Sequence, residues 1–159
     1  MKKWLSVLLA LSLLFVLCGC KKAAPATNGN EGSFEYDENR GYFLDDETAP
    51  ETSKEELKAT LAEAYFTQND HMYVRVKIGN GTADVQRIDA VDVAIFYADK
   101  DELIAGGIVE LTEELTVKAG EVIEYDFYIS PEHVEAKNAT LPETLSYSIT
   151  IENTPVKAE

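Results

Sequence analysis

From Leu57 onward, apolar and polar residues alternate with a period of two, the pattern of strands that bury one face. Met72, Val74, Val76 and Ile78 alternate with His71, Tyr73, Arg75 and Lys77. Val91, Val93, Ile95 and Tyr97 give a second alternation. Leu103 to Leu111 reads as a strand, and Gly106-Gly107 within it predicts a bulge or a close backbone approach. Ile123, Tyr125, Phe127 and Ile129 form another set, and Leu145, Tyr147, Ile149 and Ile151 the last. Leu57 to Thr67 also fits a strand, with Leu57, Ala59 and Leu61 on one face, although its alanines and glutamates would suit a helix.

Turn chemistry separates these runs. Gln68-Asn69-Asp70, Asn80-Gly81, Asp99-Lys100-Asp101-Glu102 and Ala119-Gly120 are the breakers, and Asn80-Gly81 predicts a tight hairpin turn. Ser130-Pro131-Glu132 ends a strand and suits a single helical turn. Six or seven short strands with closely spaced turns predict an all-β chain, an antiparallel two-sheet β-sandwich over residues 57–159. No tryptophan or cysteine pair is left to pin the sheets together, because Trp4, Cys18 and Cys20 all lie near the N-terminus.

The N-terminal segment has a different logic. Met1-Lys2-Lys3 is basic, and Trp4 to Leu17 is apolar apart from Ser6 and Ser12. That is the layout of an export signal, shorter than the roughly 20 apolar residues of a stable membrane span. The run ends in Leu17-Cys18-Gly19-Cys20, which resembles a bacterial lipoprotein lipobox. Leu17 matches the large apolar position, Gly19 the small residue before the cut, and Cys20 the lipid-bearing cysteine; Cys18 departs from the usual Ala, Ser or Thr. The resemblance implies removal of residues 1–19, a thioether-linked diacylglyceryl group on Cys20 with acyl chains such as palmitate, and residence on the extracytoplasmic face of the cell membrane. An ordinary secretory signal or an uncleaved anchor helix is the other reading of the same run.

Residues 20–56 predict a disordered tether. Pro25, Pro50, Gly29, Gly32 and Gly41 sit among small polar and acidic residues, and one-sided charge extends such a segment. Stretched, it would hold the domain on the order of 100 Å from the membrane. Phe34, Tyr36, Tyr42, Phe43 and Leu44 are unusually apolar for a linker, and transient docking as an added edge strand is the expectation for them.

Charge narrows the partners. The chain has 159 residues with a net charge of −15, and loss of Lys2 and Lys3 leaves 12 basic against 29 acidic residues, or −17. A body this acidic repels nucleic acid and anionic headgroups. Candidate chemistry is sparse. His71 and His133 have no zinc-ligand spacing, no serine lies in a nucleophile elbow, and no phosphate loop is present. Asp99, Asp101 and Glu102 in one turn, with Glu113 and Glu114 in another, offer oxygen ligands for calcium without the EF-hand order. No cofactor, resident metal or catalytic residue is expected. Tyr73, Phe96 and Tyr128 are outward aromatics that would form a binding patch if they shared one sheet face.

A second resemblance covers Tyr73 to Val134. Asn80-Gly81-Thr82, Phe96-Tyr97-Ala98-Asp99-Lys100-Asp101, Leu103-Ile104-Ala105-Gly106-Gly107, Leu115-Thr116-Val117-Lys118-Ala119-Gly120, Tyr125-Asp126-Phe127-Tyr128-Ile129 and Pro131-Glu132-His133-Val134 are similar to the Ig-like extracytoplasmic domains of Gram-positive lipoproteins and S-layer-associated proteins. The family places a glycine in the polar turn where this chain has Asp101-Glu102. The resemblance implies a non-enzymatic module for adhesion, envelope assembly or binding, with an envelope protein or cell-wall component as partner. A ligand-binding accessory subunit of a transporter or sensor is the alternative.

Overall fold

The computed structural model describes residues 34–45, 49–50, 52 and 55–156, with the backbone alone for Thr112. The expected signal 1–19, the lipobox Leu17, Cys18 and Gly19, and Cys20 lie outside the described residues. Among the described residues, no helix is long and apolar enough to cross a membrane.

Among the described residues, seven strands form two antiparallel sheets. They are β1 (Tyr42–Leu44), β2 (Leu57–Phe66), β3 (Met72–Asn80), β4 (Gln86–Tyr97), β5 (Leu103–Val117), β6 (Val122–Ile129) and β7 (Leu145–Pro155). One sheet has the order β1-β2-β3-β6 and the other β5-β4-β7. Hairpins join β2 to β3 and β4 to β5, while the connections after β3, β5 and β6 cross between the sheets. The chain is therefore an antiparallel β-sandwich, with β2-β3-β6 facing β5-β4-β7.

The core is what alternation selects. Leu61, Phe66, Met72, Val74, Val76 and Ile78 from the first sheet meet Val91, Val93, Ile95 and Ile104 from the second, all essentially unexposed. Burying each such side chain contributes about 1.5–3 kcal/mol. The same pattern decides β2. Its alanines have helix propensity, but pairing with β3 from Leu57↔Asn80 to Phe66↔Met72 makes it a strand. Pro131–His133 forms the single 3-10 turn expected after β6.

Two local expectations change, and a third is narrowed to one of its alternatives. Asn80-Gly81 is not a hairpin turn, because β3 and β4 belong to different sheets. Asn80 is instead fully buried, donating its amide to the carbonyls of Asp84 at 2.8 Å and Val117 at 2.9 Å and accepting from the Thr82 backbone at 2.9 Å. Gly106 and Gly107 sit in regular register with Ala94 and Val93. A side chain at Gly106 would come 3.0 Å from the Val93 carbonyl oxygen, so the close approach is present there and the bulge is not. Lastly, β5 does not stop at Leu111. It runs on to Val117 through a register shift that carries Glu113 and Glu114, so these are not in a turn between strands.

The expected boundary at Leu57 is also too late. Residues 34–45 pack on the sandwich as a strap, and β1 extends the first sheet by pairing with Glu63–Tyr65. Tyr36 bridges Thr67, and the Asp45 amide donates to the Ala62 carbonyl at 2.7 Å. Arg40 is the buried pin. Its guanidinium donates to Asp70 at 2.6 Å and to the carbonyls of Ala136 and Ala139 at 3.1 and 3.2 Å. The Leu141 amide donates back to the Arg40 carbonyl at 2.6 Å. Residues 21–33 of the expected tether lie outside the described residues.

Candidate functional site

Antiparallel register places one residue of each strand side by side, so the outer face of the β1-β2-β3-β6 sheet is arranged in rows. One row is Tyr42, Tyr65, Tyr73 and Tyr128. The next is Leu44, Glu63, Arg75 and Asp126. Below them Thr60, Lys77 and Glu124 align.

A bulge creates the aromatic row. Leu61 pairs with Val76 and Glu63 with Arg75, leaving Ala62 as an extra residue in β2. One added residue flips every later side chain to the other face. Leu57, Ala59 and Leu61 point inward before the bulge, and Ala64 and Phe66 point inward after it. Tyr65 therefore faces out beside Tyr73.

The rings touch in sequence. Tyr42 and Tyr65 stack at 5.8 Å, Tyr65 and Tyr73 stack at 4.5 Å, and Tyr73 meets Tyr128 edge-on at 5.4 Å. The strap adds a second layer. Phe34 stacks on Tyr128 at 4.3 Å and meets His71 edge-on at 4.7 Å. Tyr36 sits edge-on to both Tyr42 and Tyr65. Each such pair contributes about 0.5–1.5 kcal/mol beyond the area it buries. Tyr73 is only 1 % exposed, whereas Phe34, Tyr36, Tyr42, Tyr65 and Tyr128 are half-buried and present ring edges and faces to solvent.

A charged row borders the aromatics. Glu63 is buried, accepts the Tyr42 hydroxyl at 2.6 Å, and pairs with Arg75 at 2.9 Å. That ion pair is close but not aligned as a hydrogen bond to Glu63 Oε2. Arg75 donates instead to the Tyr73 hydroxyl at 2.6 Å. Burial, reinforced by the negative charge of Glu63 and Asp126, holds the Tyr65 and Tyr73 hydroxyls protonated far above the usual tyrosine range. Burial and Asp126 push Tyr128 the same way. At neutral pH the row is therefore a set of neutral phenols suited to ring stacking and hydrogen bonding.

The structure brings together two of the three aromatics singled out from the sequence. Tyr73 and Tyr128 are register partners, but Tyr73 is covered rather than outward to solvent. Phe96 lies on β4, in the other sheet, paired with Leu103 and Ser146. The patch is completed instead by Tyr36, Tyr42 and Tyr65, with Arg75 and Glu63. For Tyr36 and Tyr42 the signal was the aromatic content of residues 34–44, expected to dock as an added edge strand; Tyr65, Arg75 and Glu63 were not singled out for this face. His133 is exposed in the 3-10 turn, and His71 sits just before β3. Among the described residues, no three His, Cys, Asp or Glu side chains group to hold a metal ion.

No protein-family description matches the chain, and no curated protein matches it. A solved structure, "Crystal structure of protein from Archaeoglobus fulgidus", is similar at 11% identity over 66% of this chain and 97% of that one, with a TM-score of 0.31, a likeness too slight to bear on function.

Proposed function

We propose that this chain is a lipid-anchored, extracytoplasmic, non-catalytic module that makes contacts within a Gram-positive type of cell envelope. The N-terminal run ending in Cys20 supports the anchor. The single observation that supports the contact role is the two-layer aromatic surface, in which Phe34 of the strap stacks on Tyr128 and Tyr36 meets Tyr65, at either side of the Tyr73 that joins them. Rigid tyrosines combine apolar area with a polar edge, which is what interface anchors require.

Docking of the strap sets the working distance. From Cys20 to Phe34 the backbone spans at most about 50 Å when fully extended. Were the chain free as far as Leu57, it would span roughly 130 Å. The module therefore works close to the membrane, on a partner that is itself membrane-proximal.

Co-sedimentation of the mature chain with purified cell walls and with envelope proteins in detergent tests this reading. Replacing Phe34 and Tyr36 by serine should weaken retention at least tenfold, while Phe96→Ser on the opposite sheet leaves it intact. Equal retention of all three proteins would remove the aromatic surface from the account.

A further inference from the structure

The four outer edges of the sandwich are not alike. The β1 edge is three residues long. The β5 edge carries Glu110, Glu113 and Glu114 and an irregular register, and Ala105 bridges Val134. The β6 edge carries Glu124 and Asp126. Short strands, charges and irregularities are the devices that stop a sheet from adding another strand. The β7 edge has none of them from Leu145 to Ile151. That stretch reads Leu-Ser-Tyr-Ser-Ile-Thr-Ile, with no charge, proline or glycine. Among the described residues, β7 pairs only with β4.

The core beneath this edge is also incompletely covered. Val91, Val93 and Ile95 of β4 are fully buried, but their β7 neighbours Ile151, Ile149 and Tyr147 are only partly so. A groove of about 510 Å³ runs between β7 and the start of β2, floored by Leu57, Ala59, Ile149 and Ile151. Among the described residues, its lining holds Glu55, Glu56 and one cation, Lys58, which is paired with Glu56 at 3.5 Å.

We propose that the β7 edge accepts an extended, basic segment of a partner protein as an eighth strand. Backbone pairing along Leu145–Ile151 supplies the binding, alternate apolar side chains of the guest enter the groove against Ile149 and Ile151, and its lysines or arginines meet Glu55 and Glu56. Charge selects this occupant over a second copy. The edge itself is uncharged, but the net negative charge of each chain makes two copies repel on approach, whereas a cationic strand is drawn in. This site, made by the β7 edge and the start of β2, shares no residue with the aromatic surface, so either can fail alone.

The test uses the mature chain in detergent and a short capped peptide in which valine alternates with lysine and threonine. A second peptide replaces the lysines with glutamate. Amide hydrogen exchange, read residue by residue, should slow at least tenfold at alternate positions of Leu145–Ile151 with the basic peptide. Binding should weaken at least tenfold with the acidic peptide and again in high salt. Thr150→Lys places a charge on the exposed side of this edge; it should leave the melting temperature unchanged and weaken the basic peptide at least tenfold. Equal binding of both peptides, unchanged binding by Thr150→Lys, or protection away from β7 would overturn the proposal. So would a concentration-dependent dimer that protects the same amides without peptide.

Discussion

The guanidinium carbon of Arg40 lies 3.8 Å from the centre of the Phe66 ring, so a charged side chain from the strap forms the lid over a core phenylalanine. Arg40 combines that cation–π contact with an ion pair to Asp70, whose own side chain is 48% exposed, and with two carbonyl bonds. Solvent around Asp70 reduces the ion pair's share, while packing and the carbonyl bonds remain. Arg40→Ala should cost about 2–3 kcal/mol in urea denaturation. It should also open residues 34–45 to limited proteolysis. Asp70→Asn should cost less than about 1 kcal/mol.

Glu63 and Arg75 form the most sensitive pair on the aromatic face. Removing Arg75 leaves the buried Glu63 without its counter-charge, which costs about 3 kcal/mol. Arg75→Met alone should therefore be severely destabilising. The double change Glu63→Leu with Arg75→Met should recover most of that loss, because neither half of the pair is then left without its partner. A double-mutant cycle by chemical denaturation measures the coupling, and additive losses would show that the two side chains do not act as a pair.

The tyrosine row predicts an alkaline limit. Folded-state values for Tyr65, Tyr73, Tyr125 and Tyr128 are all raised, with burial the leading cause. The unfolded chain releases its phenolic protons near pH 10 while the folded chain keeps them. These groups leave stability unaffected below about pH 9 and lower it progressively above about pH 10, by up to about 1.4 kcal/mol per pH unit for each tyrosine. Melting temperature against pH, followed together with phenolate absorbance, should show the buried tyrosines ionising only as the fold is lost. Tyr65→Phe should make the decline shallower.

Glycines separate close approach from open space. An ideal Cβ at Gly81 would collide with the Thr52 carbonyl oxygen, while one at Gly107 meets nothing within 4 Å. Gly81→Ala should cost roughly 1–3 kcal/mol and loosen the Pro50–Thr52 contact with the end of β3. Gly107→Ala lies in a strand with room for the methyl group and should be neutral or add up to about 1 kcal/mol. Parallel thermal melts of the two variants check the contrast.

The strands of the sandwich were legible because Met72–Ile78, Val91–Tyr97, Ile123–Ile129 and Leu145–Ile151 each keep a strict period of two between recognisable turns. Period two also gave Tyr73 and Tyr128 the correct face. It did not reveal that Tyr65 joins them, since one inserted residue at Ala62 reverses the phase of β2 without any local signal. It placed Phe96 outward correctly but could not say from which sheet. The strap was half legible: the aromatic run from Phe34 to Leu44 was expected to dock as an edge strand, and Tyr42–Leu44 do pair with β2, but its buried pin was not foreseen. Arg40 sits among acidic and small residues, and its burial depends on Asp70, Ala136 and Ala139, which lie 30, 96 and 99 positions away. Asn80 was read from its dipeptide as a hairpin turn, although its side chain ties β3 to Val117 of the other sheet.

A lipid on Cys20 is the claim on which the proposed location and working distance both rest. Mass spectrometry of the N-terminal peptide, taken from protein in the membrane fraction of its own cells, measures it directly. The account predicts a first residue of Cys20 carrying the mass of a diacylglyceryl group. A chain that begins at Met1 with an unmodified Cys20 would contradict it.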